Sequence, residues 1–138
     1  MGGTTRLTGM ALALLAALAA GPAARSRAAE APPGAVAIGA ALDLSGRGAA
    51  LGKEARDALL LEIDRANQAG GGIAGREIVL RVVDTAGSPE GAAEAVQELA
   101  REGEAAAIIG PVSIPEALAA AREAAKQHIP LITLTAPA

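Results

Sequence analysis

Three glycines whose spacing could hold a phosphate stand between an apolar run and a helical pattern. In residues 42–52, LDLSGRGAALG, Gly46, Gly48 and Gly52 form G-x-G-x-x-x-G. In dinucleotide-binding folds such a loop brings backbone N–H groups to the pyrophosphate, and an acid about 20 residues later binds the ribose. Here the last glycine spacing is one residue too long, and Asp84 lies 38 residues after Gly46. The pattern therefore disfavours a dinucleotide.

A second candidate stretch, GPVSIPE, places a serine at the start of a helical pattern. Ser113 and Glu116 have the S-x-x-E spacing of a capping box, in which the serine side chain only holds the helix end. Ser45 and Gly46 are equally consistent with ordinary turn chemistry. Both stretches lead into helix N-termini, where unpaired N–H groups and the helix dipole favour an anion such as a carboxylate.

The remaining polar candidates favour structural roles. Asp43 is interpreted as a solvated or structural carboxylate, Asp84 as part of a strand-end turn, and His128 as a helix-end residue that interacts with the dipole. Ser113 begins the helix that His128 ends, about 20 Å away at roughly 1.5 Å per residue, so the two cannot form a nucleophile and base. With one His and no Cys, only scattered carboxylates could bind a metal. The sequence predicts no enzyme, no metal site and no cofactor.

The elements that must position these loops alternate between strands and helices. Strands are predicted at 35–41, 77–84, 105–109 and 129–135, and helices at 50–68, 88–102 and 113–127. Such alternation predicts an α/β fold, a doubly wound parallel sheet with right-handed crossovers. If the first strand lies between the second and third, the loops 42–52 and 110–115 line a crevice at the carboxyl ends of the strands. We expect the ligand there.

The first 28 residues predict a secretory signal peptide. Arg6 gives a positive start, residues 10–20 (MALALLAALAA) form an apolar segment too short to span a bilayer comfortably, and Ser26-Arg27-Ala28 offers small residues for cleavage. An uncleaved anchor and a short helix of the fold are the alternatives. Residues 29–34 form a linker, and the product is expected in the periplasm, where nicotinamide cofactors are seldom met.

Charge and composition exclude several classes of partner. Cleavage after Ala28 leaves 9 basic and 15 acidic residues, which disfavours binding of nucleic acid. The chain contains no Phe, Tyr or Trp to stack on a base or a sugar, and no Cys for a disulfide framework. Half of the residues are apolar, so a packed core of Leu, Ile, Val and Ala is expected.

Five segments together carry a family resemblance. They are VAIGAALDLSG at the first strand, IDRANQAGGGIAGREIVLRVVD, SPEGAAEAVQEL, AAIIGPVS and IPLITLTA, within residues 35–138. This combination resembles the N-terminal, Rossmann-like lobe of type I periplasmic binding proteins, in the leucine/isoleucine/valine-binding branch of amino-acid ABC importers. The resemblance implies a receptor whose two lobes close on a small solute, deliver it to a membrane permease, use no cofactor and act as a monomer at full length.

The resemblance implies particular ligand contacts after the third and fourth strands. Ser113 keeps the first of the family's paired serine positions, whereas Ile114 stands at the second, whose hydroxyl usually binds the ligand carboxylate. Thr135 falls where a backbone carbonyl takes the ligand amino group, and Pro137 stands near a usual threonine. The solute is therefore expected to be a branched-chain or related amino acid or a small amide.

The first loop departs from the family at one position. Ser45 and Gly46 keep the turn, but an aromatic residue usual after them is replaced, with Leu51 as its counterpart. Family members are more than twice as long, so residues 35–138 are expected to be an incomplete part of a truncated chain. The alternatives are the ligand-sensing lobe of a receptor or regulator, and an exported nucleotide-binding enzyme of Rossmann type.

Overall fold

A computed structural model describes residues 32–101 and 105–135. The predicted signal peptide 1–28, the first part of the predicted linker 29–34 and the candidate Pro137 lie outside the described residues. Among the helices of the described part, none combines the length and apolar character that a membrane crossing requires.

Strands and helices alternate through the described residues as the sequence predicts. The strands are β1 (Val36–Leu42), β2 (Ile78–Asp84), β3 (Ala105–Ile109) and β4 (Leu131–Ile132), and the helices are α1 (Ala49–Gly70), α2 (Pro89–Arg101) and α3 (Ile114–Lys126). The prediction of a strand over 129–135 was wrong in extent. In the described residues β4 pairs with β3 only opposite Ile108 and Ile109. Beyond them the chain turns at Pro111, which has no N–H with which to continue the ladder.

The strands form one parallel sheet in the order β2-β1-β3-β4. β1 pairs along its whole length with β2 and, on its other side, with β3. The crossover from β1 to β2 therefore runs in one direction along the sheet, and the crossovers from β2 to β3 and from β3 to β4 run in the opposite direction. Because parallel crossovers are right-handed, α1 covers one face of the sheet and α2 and α3 cover the opposite face. This confirms the doubly wound α/β fold, and β1 lies between β2 and β3, the arrangement on which the expected crevice depends.

The core lies between the sheet and the α2–α3 face. Its fully packed part consists of small and medium aliphatic side chains: Ala41, Ala92, Ala95, Val96, Leu99, Ile108, Ala120 and Ala124. In α2 the buried positions fall three and four residues apart, which is the pattern of an amphipathic helix. A Cβ on Gly39 of β1 would lie 3.0 Å from Cδ1 of Leu99, so the glycine lets the largest of these side chains reach the sheet.

The α1 face is packed less completely. Gly52 is the buried residue of α1, and Leu60 and Leu61 are 44% and 51% exposed. The aliphatic side chains of this helix are half-buried at best, because within the described residues α1 contacts only β1 and β2 to an appreciable extent. The helix is capped by Gly71, whose left-handed conformation lets its N–H bond to the last turn.

Candidate functional site

The loops that follow β1 and β3 leave neighbouring strands toward helices on opposite faces of the sheet. Such a divergence at the carboxyl ends of parallel strands leaves a crevice, which is where open α/β sheets bind ligands. We call these loops the first loop (residues 43–48) and the second loop (residues 110–113), and the space between them the cleft. The strand order meets the condition under which the sequence places both loops at a crevice.

The glycines of the first loop surround a carboxylate that belongs to the chain itself. Asp43 is 1% exposed. Its Oδ1 accepts a hydrogen bond from the N–H of Gly46 at 2.6 Å and its Oδ2 accepts one from the N–H of Gly48 at 2.6 Å. These are the N–H groups that a bound phosphate would need in a glycine-rich loop. The structural interpretation of Asp43 is therefore confirmed, and the first loop is not a phosphate cradle.

Two further glycines let the backbone close around Asp43. A Cβ on Gly52, in the first turn of α1, would lie 1.8 Å from the carbonyl oxygen of Asp43. A Cβ on Gly87, in the loop after β2, would lie 2.6 Å from Oδ2 of Asp43. The third glycine of the G-x-G-x-x-x-G pattern thus serves close packing of the helix on the strand end.

Asp84 fastens the first loop to the end of β2. Its Oδ1 accepts hydrogen bonds from the N–H groups of Leu44 and Ala86, both at 2.8 Å. Burial acts to raise the pKa of Asp84, but the hydrogen bonds from the Ser45 side chain and from the backbone of Leu44, Ala86 and Ser45 outweigh it and hold the pKa below its usual value. Asp84 is therefore part of a strand-end turn, as predicted, and Ser45 points to it.

The second loop is held between β1 and the chain after β4. Gly110 has φ of +103°, and a Cβ there would lie 2.2 Å from the carbonyl oxygen of Ala41. The Gly110–Pro111 peptide bond is cis. The N–H of Gly110 donates to the carbonyl of Ile132 at 2.8 Å, and the N–H of Leu134 donates to the carbonyl of Pro111 at 3.0 Å. The backbone before Thr135 therefore runs beside the second loop.

A buried glutamate joins the second loop to the loop after β2. Glu116 is 3% exposed and Thr85 is 0% exposed. The Thr85 hydroxyl donates to Oε1 of Glu116 at 2.5 Å, and the Ser113 hydroxyl donates to Oε2 of the same carboxylate. The expected capping box is absent from the start of α3: Ser113 caps by position but gives the helix no side-chain hydrogen bond. We call these three residues the Glu116 triad.

Sequence reasoning did not single out the burial of Glu116. A signal was present, because the buried positions of α3 recur with helical periodicity and Glu116 falls on that face. The pairing with Thr85 left no local signal, since the two residues are 31 positions apart.

The other predicted site residues are distributed around the cleft. Ile114 is the first residue of α3 and is 49% exposed. Leu51 lies in the first turn of α1 and is 53% exposed. Gly46 and Thr135 are half-buried. Ligand contact by any of them remains a prediction.

The described residues contain no grouping of three or more His, Asp or Glu side chains suited to a metal ion. His128 lies exposed just beyond the end of α3, at the opposite end of the helix from Ser113. A hydrolytic pair between the two is therefore ruled out by position, as the sequence suggested.

The fold and the family agree. Residues 35–138 match the model of a family described as periplasmic binding proteins. The chain belongs to the periplasmic binding protein family, whose members are solute-binding proteins and not enzymes. A search with the sequence among curated proteins finds no significant match.

Several solved structures share the fold over this lobe. The branched-chain amino acid transporter substrate binding protein LivJ of Streptococcus pneumoniae, solved with isoleucine, is 29% identical with a TM-score of 0.71, over 75% of this chain and 30% of that one. An ABC transporter substrate-binding protein of Sphaerobacter thermophilus is 31% identical with a TM-score of 0.65, over 73% and 26%. A solute binding protein of Rhodopseudomonas palustris, solved with 3,4-dihydroxy benzoic acid, is 29% identical with a TM-score of 0.65, over 73% and 27%.

These similarities confirm the family resemblance that the sequence indicates. The similar solved structures include substrate-binding proteins of branched-chain amino acid transporters. The fold is that of a type I periplasmic binding protein lobe. The match spans 30% or less of the length of each of the three solved proteins.

Proposed function

We propose that this chain contributes one wall of a solute-binding cleft in the extracytoplasmic component of an ABC importer. The observation that carries the proposal is the divergence of the first and second loops at the centre of the sheet. Both loops are held by internal hydrogen bonds, the first through Asp43 and the second through the bond from Ser113 to Glu116. A pre-formed, internally hydrogen-bonded wall is what a receptor that binds small molecules needs.

The proposed solute is a branched-chain or related amino acid or a small amide. Leu51 and Ile114 support this choice, because both are aliphatic and about half exposed near the starts of the helices that border the cleft. The solved relatives hold isoleucine in one case and dihydroxybenzoic acid in another, so the same fold accepts more than one small organic solute.

Binding is tested by titrating the ¹⁵N-labelled chain with L-isoleucine and following its amide resonances. We expect shifts confined to residues 43–52, 110–116 and 133–135. An Ile114→Asp variant should lose them, because a charge would replace an apolar contact. Leu61→Ala, at an exposed position of α1, is the matched control and should keep them. Shifts elsewhere, or none at millimolar solute, would refute the proposal.

One wall alone should bind weakly, since a solute enclosed on a single side keeps much of its surface in water. Isothermal titration of the chain with branched-chain amino acids is expected to show affinity weaker than micromolar. A micromolar dissociation constant would contradict this view.

We also propose export to the periplasm and delivery of the solute to a membrane permease, with the complete receptor a monomer. The support is the pattern of residues 1–28 and the family membership of residues 35–138. Expression in a Gram-negative host followed by mass spectrometry of the periplasmic fraction tests the first point. The expected product begins at Ala29, whereas an uncleaved product in the membrane fraction would favour an anchor.

A further inference from the structure

The Glu116 triad fixes the direction of one hydrogen bond at the cleft. A carboxylate oxygen only accepts hydrogen bonds, whereas a serine hydroxyl has one proton to give and two lone pairs. Because Oε1 of Glu116 is taken by the Thr85 hydroxyl, the Ser113 hydroxyl meets the other carboxylate oxygen and donates to it. The single proton of Ser113 is thereby committed to the interior of the protein.

The open side of the triad is the side of Ser113. Glu116 and Thr85 are buried, while Ser113 is half-buried at the second loop. With its proton turned inward, the Ser113 oxygen can offer only lone pairs to a molecule in the cleft. An approaching carboxylate would meet those lone pairs, and beyond them the carboxylate of Glu116, without a donor at this atom.

The helix dipole does not reverse this preference at Ser113. The N-terminus of α3 attracts negative charge, but Glu116 stands in the first turn and supplies that charge from the chain itself. In the first loop, Asp43 likewise occupies backbone N–H groups that could hold an external anion. The sequence-based expectation that these helix starts favour a ligand carboxylate is thus weakened in both loops by an internal carboxylate.

We propose that Glu116 is a positioning residue that turns the Ser113 hydroxyl into a hydrogen-bond acceptor, so that the solute presents a donor to it. The donor is an ammonium, an amide N–H or a hydroxyl, and the solute's carboxylate, where it has one, binds elsewhere. The inference rests on the proposed function of the cleft and specifies the polarity of solute group that it takes at this point.

The hydrogen bond from the Ser113 hydroxyl to Glu116 is tested without any solute. In the labelled chain, NMR should detect slowly exchanging hydroxyl protons for Ser113 and Thr85, and both should be lost in Glu116→Val. The exposed Thr133 hydroxyl is the internal reference for free exchange. A Ser113 hydroxyl proton that exchanges as fast as that of Thr133 would overturn the inference.

The consequence for binding is tested with two analogues of isoleucine, a methylbutylamine that lacks the carboxylate and a methylpentanoate that lacks the ammonium. Ser113→Ala should weaken the amine by about tenfold, the loss of one hydrogen bond to a charged group, and should leave the acid unchanged. The opposite result, a weakened acid with an unchanged amine, would overturn the inference.

The positioning role of Glu116 is tested with the same pair of probes. Glu116→Val removes the acceptor of the Ser113 proton, which can then point into the cleft. The ratio of the affinity for the acid to the affinity for the amine should therefore rise about tenfold. Glu123→Val is the matched control, because Glu123 is a buried glutamate of the same helix that bonds Lys126 and Gln127 at the far end. An unchanged preference in a folded Glu116→Val chain would overturn the positioning role. If neither probe shifts the cleft resonances of the unaltered chain, the proposed function fails, and the hydroxyl measurement alone decides the inference.

Discussion

A buried carboxylate holds each loop of the cleft, Asp43 within the first loop and Glu116 in the first turn of α3 beside the second loop, but the two are bound in different ways. In the first loop, Asp43 is bound by backbone N–H groups three and five residues further along the chain. Beside the second loop, Glu116 is bound by side-chain hydroxyls, one from Ser113 of that loop and one from Thr85, 31 positions away. The hydrogen bonds to Asp43 are local in sequence and come from backbone N–H groups, which cannot rotate. The hydrogen bonds to Glu116 connect two loops and come from hydroxyl groups, which can rotate.

This difference shows how a glycine-rich loop can resemble a phosphate site and yet be closed to phosphate. The glycines bring N–H groups close together, and an internal aspartate then occupies them. In the second loop the serine that a capping box would use for the helix is used for a buried glutamate. In the first loop the chain itself supplies the anion that the glycine pattern reserves for a ligand, and beside the second loop it places a carboxylate at the start of α3.

Adding a methyl group where α1 meets the first loop should have the most severe consequence. Gly52→Ala places a Cβ 1.8 Å from the carbonyl oxygen of Asp43, so α1 must move away from the strand end. We expect a loss of about 3 kcal/mol in the free energy of unfolding, at the upper end for overpacking. Urea denaturation followed by circular dichroism measures it.

Gly70→Ala is the control for that substitution, because nothing lies within 4 Å of its Cβ position at the other end of α1. It should be neutral or slightly stabilising, since alanine is the better helix former. Equal midpoints for the two variants would show that α1 does not rest on Asp43 as described.

Replacing each carboxylate by its amide compares the two loops directly. Asp43→Asn should cost about 2 kcal/mol, because the new amide group faces a backbone N–H that cannot turn away. Glu116→Gln should cost about 1 kcal/mol or less, since a hydroxyl can rotate to accept from the amide. Chemical denaturation of the two variants, with the exposed Asp57→Asn as reference, measures the difference. A greater loss in Glu116→Gln would contradict the contrast between fixed and rotating donors.

The pH dependence of stability should reveal the smallest effect, at the link between the first loop and β2. The pKa of Asp84 is lowered in the folded chain from its ordinary value of 3.8. Its contribution is therefore complete above that value and is lost as the pH falls through the lower folded pKa. Asp84→Asn should flatten the stability profile below about pH 4, within the range where aspartate titrates. An unchanged acid limb in the variant would show that Asp84 does not fasten the loop.

The sequence predicts the framework of this lobe well, for identifiable reasons. Val and Ile runs define β2, and the spacing of Ala92, Val96 and Leu99 defines the buried side of α2. The place of β1 at the centre of the sheet was only a condition of the sequence argument, because the handedness of parallel crossovers does not fix the strand order. The short extent of β4 was missed, because its pairing depends on β3, which ends at Ile109, two residues before Pro111.

The polar interior of the cleft was harder to predict. The D-x-x-G-x-G spacing around Asp43 is local, and sequence reasoning allowed a structural role for that residue without foreseeing that it would fill the loop. The Glu116 triad depends on the approach of two loops that only the folded sheet brings together. Sequence reasoning therefore located the helix starts correctly but did not foresee that an internal carboxylate lies beside two of them.

The most direct test of this account is a crystal structure of the chain soaked at high concentration with L-isoleucine. We predict that the solute lies between the first and second loops, with its ammonium nitrogen within hydrogen-bond distance of the Ser113 oxygen and its carboxylate away from that atom. A solute carboxylate bound to the Ser113 hydroxyl, or a solute bound outside the cleft, would contradict the account.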